Sequence, residues 1–214
     1  NNTEGLQTTA KKVSNLGIKY MLTELIPGPD SLLSSYYTHI DKDGNSLFHF
    51  TKCVLRRYPE NFGGGCYHGT KWFPETAKVG EHFFRSMNFT GLGNVEFKED
   101  PRDGKLKIIE CNARFTAAQE LLNYADIDIS YQIYCFLAGL EVPKIDKYKT
   151  NKWLWYPRED YSTFKDLRRN GKLTLWEWLK SINWLNLTFP KLKISDPLPA
   201  IIGFKNYTKK KYFK

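Results

Sequence analysis

Hydrophobic and polar residues alternate along much of the first two thirds of the chain, as they do in half-buried β-strands. Two apolar runs cover residues 32–40 and 46–55. The DKDGN sequence at 41–45 joins them and is a strong turn signal. This pattern predicts a β-hairpin. A loop is predicted after it, around the three glycines at 63–65.

A second hairpin is predicted further along the chain. The apolar runs Val95–Lys98 and Leu106–Cys111 flank the sequence DPRDG at 100–104, whose residues favour turns. A turn centred on Asp103 places Glu96 opposite, or nearly opposite, Glu110. We therefore expect two carboxylates to face each other across this hairpin.

The spacing of apolar residues predicts helices elsewhere. Residues 74–87 carry apolar side chains at helical intervals, with Pro74 in the first turn, where proline is tolerated. In residues 174–182, Thr174 and Glu177 form a predicted capping box. Further helices are predicted over residues 1–18, 117–124 and 130–140. The chain from 19 to about 140 is otherwise strand-rich, and we interpret the apolar run over 20–26, which ends at Pro27-Gly28-Pro29, as a strand.

Together these elements predict an α+β fold, an antiparallel sheet with packed helices, over residues 1–145. After Pro143 the composition shifts towards Trp, Tyr, Lys and Pro. We interpret residues 146–214 as a helical or extended, Trp-rich tail that packs on the first region.

Composition excludes several classes of protein. With 41% hydrophobic residues the 214-residue chain has enough apolar material for a core, so it is not disordered. No stretch approaches the ~20 apolar residues of a membrane helix. The four cysteines have no metal-ligand spacing, and the N-terminus lacks the apolar core of a signal peptide. We expect reduced thiols, no zinc and a cytoplasmic location.

The net charge of +9 favours anionic partners. One alternative is a basic nucleic-acid-binding module, which would place aromatic and basic side chains on one surface. The tryptophans instead fall at helical spacing in the tail, which favours core packing and no nucleic-acid partner. Membrane association through Trp176, Trp178 and Trp184 is a further alternative.

The second hairpin carries candidate chemistry. Facing carboxylates destabilise a sheet unless a cation compensates them. Asn112 lies two residues beyond Glu110 and so shares its face. Two carboxylates and a carboxamide are oxygen ligands of the kind that Mg²⁺ takes. The alternative is a solvent-facing hairpin whose glutamates pair with Lys98 or Lys105.

Arg114 follows Asn112 by two residues, just past the predicted strand. A guanidinium there can hold a phosphoryl group or an acyl-phosphate oxyanion with two hydrogen bonds. The alternative is a surface salt bridge. Lys52, Arg56, His68 and Lys71 are further candidates for approaching a phosphate.

The sequences VEFKEDPRDG at 95–104 and IIECNAR at 108–114 resemble the metal-binding hairpin of the ATP-grasp superfamily. The sequence TELIPGPD at 23–30 resembles the hinge of that family. The RRYP sequence at 56–59 and the tail are similar to carboxylate–amine ligases of the D-aspartate ligase and carbamoyl phosphate synthase large-subunit type. Asn94 departs from the pattern, since many relatives have arginine there.

The resemblance implies a lobe with a hinge at 20–30 and a metal hairpin at 91–114. It implies ATP as the nucleotide, Mg²⁺ or Mn²⁺ as the metal, and small carboxylate and amine substrates. The implied site residues are the backbone of Glu24, Leu25 and Ile26 for adenine, Asp30 for ribose, Glu96, Glu110 and Asn112 for the metal, and Arg114 for the phosphoryl group.

The resemblance also implies that the N-terminal half of the enzyme would precede this chain. We therefore expect the isolated chain to show no ligase turnover and to bind ATP with a Kd in the roughly millimolar range. A non-catalytic regulatory domain of the same shape is the main alternative. The identity of the substrates and the oligomeric state stay open.

Overall fold

The computed structural model describes residues 3–190, 192–193 and 195–212. The first two residues of the predicted N-terminal helix and residues 191, 194, 213 and 214 of the predicted tail lie outside this part, as do the side chains of 204 and 207–212. The described strands are β1 (Leu33–Ile40), β2 (Phe50–Tyr58), β3 (Gly64–Thr70), β4 (Gly91–Glu99), β5 (Leu106–Asn112), β6 (Trp153–Trp155) and β7 (Leu187–Thr188). The described α-helices are α1 (Thr3–Asn15), α2 (Pro74–Ser86), α3 (Gln119–Tyr124), α4 (Ile129–Leu137), α5 (Pro157–Arg169), α6 (Leu175–Ser181) and α7 (Leu198–Tyr212).

The seven strands form one sheet in the order β5-β4-β1-β2-β3-β6-β7. Every neighbouring pair is antiparallel except β6 and β7, which run parallel. The predicted α+β class, an antiparallel sheet with packed helices, is confirmed. Both predicted hairpins are also present, β1–β2 and β4–β5. A short 3₁₀ helix, Asp30–Leu32, leads into β1.

Strand β1 lies inside the sheet and is buried at all eight positions. Its neighbouring residues Tyr36 and Tyr37 point to opposite faces because side chains alternate along a strand. Tyr36 packs with Phe84 of α2 and with Phe97 of β4. Tyr37 packs in a second core with Leu121 of α3. Both faces of the sheet are therefore covered at β1, and strand β4 of the candidate hairpin pairs with this buried strand.

Local signals explain where several helices begin. Pro74 occupies the first turn of α2, where its missing N–H costs no hydrogen bond. In α6 the Thr174 hydroxyl accepts from the Glu177 N–H, and the Glu177 carboxylate accepts from the Thr174 N–H. The predicted capping box is thus confirmed.

Two local predictions need correction. The apolar run 20–26 belongs to no strand, and Tyr20, Met21 and Leu22 are exposed. Residues 64–70, of which the first two were predicted as loop, form β3. Glycine is required within this strand because a Cβ on Gly69 would lie 2.7 Å from the Trp153 ring of β6. The approach of the Trp153 ring thus explains the glycine at position 69.

The tail region extends the same sheet, since β6 pairs with β3. Its aromatic residues form a third core in which Trp155, Phe164 and Trp178 pack with Tyr67 of β3. None of the helices in the described ranges is long and apolar enough to cross a membrane.

Candidate metal and nucleotide site

Glu96 of β4 and Glu110 of β5 are directly paired, as predicted. The position of the turn differs from the prediction. The Asp100 N–H donates to the Lys105 carbonyl, so the turn is not centred on Asp103. That turn alone would place Ile109 opposite Glu96. A bulge between the pairs of Glu96 and Phe97 inserts one residue in β5 and restores the pairing with Glu110.

The two carboxylates differ in their surroundings. Lys52 of β2 lies with its Nζ 3.7 Å from Glu96 Oε1. Burial disfavours the Lys52 ammonium, but Tyr37 and Glu96 outweigh it and raise the pKa of this lysine. Glu110 is exposed, and no hydrogen bond or ion pair found among the described residues includes its carboxylate. One carboxylate therefore has a protein counter-ion and the other is open to solvent.

Asn112 shares the face of the glutamates, because it pairs with Asn94 in the same register. Its side chain is buried, and its amide nitrogen donates to Asn94 Oδ1 at 3.5 Å. Asn94 in turn donates to the Tyr36 carbonyl at 3.3 Å. These bonds use the Asn112 nitrogen and leave its carboxamide oxygen available as an acceptor.

The donor set fits Mg²⁺, which takes few protein ligands and completes its coordination with water or phosphate oxygens. Across the described residues, no group of three or more histidine, cysteine, aspartate or glutamate side chains is placed to hold a metal. A metal at Glu96 and Glu110 would therefore complete its coordination with the Asn112 oxygen and with water or phosphate oxygens.

Arg114 lies just past β5, at the Asn112 end of the hairpin. It is exposed, and its Nη1 donates to the Phe115 carbonyl at 3.1 Å. Nearby, the Tyr37 hydroxyl and the Thr116 hydroxyl are 2.9 Å apart. Burial raises the pKa of Tyr37, and the charges of both Lys52 and Arg114 act against that rise. Lys52 and Arg114 thus both lie close enough to Tyr37 to affect it.

The hinge segment is tied to the same hairpin. Lys98 of β4 donates to the carbonyls of Ile26 and Gly28 at 3.1 and 2.6 Å. Burial and the nearby Arg57 lower the pKa of Lys98. Arg102, in the hairpin turn, donates to Glu24 at 2.6 Å. Lys98, one of the two lysines that the alternative interpretation paired with the glutamates, therefore holds the hinge instead.

A pocket of about 350 Å³ lies between the hinge and the sheet. Leu33 of β1 and Ile108 and Ile109 of β5 give it apolar walls, and Lys98 adds a charge. The hinge residues that line it are Thr23, Glu24, Leu25 and Ile26, and Arg57, Asn61 and Phe62 complete it. An apolar pocket lined by a segment of irregular backbone suits a planar ring with polar edges.

Asp30 does not line this pocket but a neighbouring one of about 460 Å³. The Arg57 guanidinium donates twice to Asp30 Oδ1, at 2.9 and 2.6 Å. Arg57 also lines the hinge pocket, so it lies between the two. The sequence alone did not indicate that Arg57 binds Asp30 or that Lys98 binds the hinge carbonyls. Both contacts depend on where the fold positions the hinge.

The other candidate cations lie elsewhere. Arg56 is buried in an ion pair with Asp160 of α5. Lys71 is exposed beyond β3 and lies over the Phe73 ring. His68 is buried on β3 and its Nε2 lies 2.7 Å from the Gly65 carbonyl. Of the four candidates Lys52, Arg56, His68 and Lys71, only Lys52 contacts a predicted metal ligand, Glu96.

His68 provides a prediction about acid stability. Burial and the nearby Lys52 charge lower its pKa to about 3, against about 6.5 in the unfolded chain. Between these values the unfolded chain binds a proton that the folded chain does not, so stability falls as the pH falls. From pH 7 to pH 5 we expect His68 to cost about 2 kcal/mol of the free energy of unfolding.

Urea unfolding of the chain and of His68→Gln at both pH values measures this contribution as the difference between their losses. His82→Gln is the control, because His82 is exposed on α2. Burial also lowers the pKa of His39, but that contribution is common to all three proteins. Equal losses in the wild type and His68→Gln would contradict the prediction.

No protein-family model matches the chain, and no curated protein is similar to it at the level of sequence. Several solved structures are similar in fold. One is a pyruvate carboxylase from Rhizobium etli, with a TM-score of 0.49, 17% identity, and 71% of this chain and 15% of that chain covered. Another is a biotin carboxylase from Campylobacter jejuni, with a TM-score of 0.49, 14% identity and 69% and 34% covered.

A third is the ATPase subunit of phosphoribosylaminoimidazole carboxylase from Aquifex aeolicus, with a TM-score of 0.46, 14% identity, and 56% of this chain and 37% of that chain covered. The chain thus spans well under half the length of these proteins. At these scores the likeness is one of fold alone and carries no argument about ligands. These neighbours are ATP-grasp proteins, the family that the sequence motifs resemble.

Proposed function

We propose that this chain is the metal-binding lobe of an ATP-dependent carboxylate–amine ligase. The observation that carries the proposal is the direct pairing of Glu96 with Glu110, with Asn112 on the same face. Two facing carboxylates cost stability in a sheet, and a magnesium ion bound between them would offset that cost. Bound Mg²⁺ would neutralise the charge of the ATP phosphates and polarise the phosphoryl group under attack.

The chain's own residues would bind and orient the nucleotide. The hinge backbone at Glu24, Leu25 and Ile26 lines an apolar pocket of a size that suits adenine. Asp30 would offer the ribose hydroxyls its Oδ2, since both hydrogen bonds from Arg57 end on Oδ1. Because Lys98 and Arg102 tie the hinge to the metal hairpin, the adenine and phosphate positions would be held at a fixed separation.

Arg114 would stabilise the negative charge that develops as a substrate carboxylate takes the phosphoryl group. Its guanidinium is exposed beside Asn112, and the hydrogen bond that it donates to the Phe115 carbonyl uses only Nη1. The resulting acyl phosphate would then be attacked by an amine with loss of phosphate. Such a reaction depends on positioning and charge neutralisation and needs no covalent protein nucleophile.

The proposal is tested by replacing Glu110 with glutamine. We expect Glu110→Gln to weaken Mn²⁺ binding in the presence of a non-hydrolysable ATP analogue by at least about tenfold, because loss of even an outer-shell partner of a metal commonly costs that much. Electron paramagnetic resonance measures free Mn²⁺, and a titration of the analogue without protein gives the share of Mn²⁺ that the analogue itself binds.

The matched control is Glu99→Gln. Glu99 is exposed on the same strand but three residues from Glu96, and therefore on the opposite face. The Glu99→Gln variant loses the same charge as Glu110→Gln and should bind Mn²⁺ as the wild type does. If all three proteins bind Mn²⁺ and nucleotide equally, or the wild type binds neither, the proposed metal site is wrong and a non-catalytic domain becomes the better interpretation.

A further inference from the structure

Lys52 belongs to a row of paired residues that crosses four adjacent strands. The row is set by the register and runs through Glu110 of β5, Glu96 of β4, Ser35 of β1 and Lys52 of β2. Directly paired residues share a face of the sheet. The row therefore places one cation on the same face as both carboxylates, at the buried end.

The Lys52 ammonium is held in this position. The residue is 1% exposed, and its Nζ lies 3.7 Å from Glu96 Oε1 and 5.8 Å from the centre of the Tyr37 ring. A buried cation separated from its carboxylate is strongly destabilising, so Lys52 cannot swing away when a ligand enters. Glu96 keeps 30% of its side chain exposed, and a metal ion would have to approach from that side.

Lys52 compensates one of the two negative charges before any ligand binds. Glu96 and Glu110 contribute two negative charges, and the Lys52 ammonium contributes one positive charge 3.7 Å from Glu96. A free divalent cation would therefore gain less attraction here than from two uncompensated carboxylates. A nucleotide triphosphate, in contrast, would bring both negative charge and the oxygens that the two carboxylates do not supply.

We propose that Lys52 is a positioning residue that makes metal binding depend on nucleotide binding. The inference rests on the proposed function, since it takes Glu96 and Glu110 as the metal ligands. Before a ligand binds, Lys52 neutralises Glu96 and repels a lone divalent cation. The phosphates of a bound nucleotide compensate that repulsion. The site therefore takes a metal–nucleotide complex and discriminates against the free metal.

The test compares Mn²⁺ binding with and without the non-hydrolysable ATP analogue in four forms of the 214-residue chain. Lys52→Met removes the charge at similar volume, and the carboxylate that it leaves behind, Glu96, keeps 30% of its side chain exposed to water rather than fully buried. Lys52→Arg retains the charge. Lys78→Met is the matched control, because Lys78 is exposed on α2, which packs on the opposite face of the sheet. Circular dichroism verifies that each form is folded.

We expect Lys52→Met to bind Mn²⁺ alone about tenfold more tightly than the wild type, a typical size for coupling between sites. The factor by which the nucleotide analogue strengthens Mn²⁺ binding should shrink correspondingly. Lys52→Arg and Lys78→Met should both keep the wild-type factor. If Lys52→Met does not fold, the comparison with Lys52→Arg remains. A strengthening of Mn²⁺ binding by the nucleotide analogue that is smaller in the wild type than in Lys52→Arg would count against the proposal.

Two failures can be told apart. If Lys52→Met leaves the nucleotide-dependent factor unchanged while Glu110→Gln abolishes Mn²⁺ binding, the role of Lys52 is wrong and the metal site stands. If Glu110→Gln also leaves Mn²⁺ binding unchanged, the proposed function itself is wrong, and the inference is overturned with it.

Discussion

Replacing Asp160 with alanine is expected to lower the free energy of unfolding by about 3–5 kcal/mol, the cost of leaving a buried charge without its partner. Asp160 is fully buried at the start of α5. Its Oδ2 accepts from Arg56 Nη2 at 3.1 Å and from the indole nitrogens of Trp155 and Trp178, both at 2.9 Å. One carboxylate thus joins β2, β6, α5 and α6.

The loss is large because alanine would leave the buried Arg56 guanidinium without its counter-ion and two buried indole N–H groups without an acceptor. Asp160→Asn should also be strongly destabilising, since it keeps the shape and removes the charge. Chemical denaturation followed by tryptophan fluorescence measures the free energy of unfolding of both variants. Trp155 and Trp178 both contact Asp160, so their emission reports on this part of the protein.

Asp166→Ala is the control for the Asp160 variants. Asp166 lies on the same helix and forms an exposed ion pair with Arg169 at 3.6 Å. Such pairs contribute little, so its effect should stay within about 0.5 kcal/mol. A loss for Asp160→Ala as small as that of Asp166→Ala would show that the tail is held to the sheet by apolar contacts alone.

The second large effect is expected at Lys98. Lys98→Met removes both hydrogen bonds to the Ile26 and Gly28 carbonyls. Hydrogen bonds from charged donors contribute about 1.5–3 kcal/mol each, so the hinge should lose about 3 kcal/mol of local stability. Chymotrypsin cleavage within residues 20–26 should then accelerate by up to about a hundredfold, because cleavage follows the population of the open segment and 1.4 kcal/mol corresponds to a factor of ten.

The control for this change is Lys105→Met. Lys105 is exposed in the turn of the same hairpin, and its replacement should leave cleavage of the hinge unchanged. Nucleotide affinity should fall in Lys98→Met because the adenine position is no longer preorganised. A wild-type rate of cleavage within residues 20–26 of Lys98→Met would mean that the ion pair of Arg102 with Glu24 suffices to hold the hinge.

Local signals in the sequence were sufficient for most of the elements near the candidate site. Turn residues at 41–45 and 100–104 identified both hairpins, and the capping box located the start of α6. These signals act over a few residues, so no distant contact is needed to interpret them. The run 20–26 misled because its exposed apolar residues have the composition of a strand without a strand to pair with.

The site was predicted only in part. Glu96, Glu110 and Asn112 share a face because strand pairing has a period of two. The bulge that aligns the two glutamates was not foreseen, since a turn shifted by one residue and a bulge compensate each other. Whether these residues, the hinge backbone at 24–26, Asp30 and Arg114 bind nucleotide and metal stays a prediction until the binding experiments are done.

The sequence by itself determined the α+β class, the two hairpins and the face on which the acidic side chains emerge, because all three follow from periodicity and turn chemistry within short segments. Only the tertiary structure decided which cations meet which anions. Lys52 reaches Glu96, Lys98 holds the hinge, and Arg56 is buried against Asp160, 104 positions along the chain. Such pairs depend on the order of strands and on the packing of helices, and no local pattern records either.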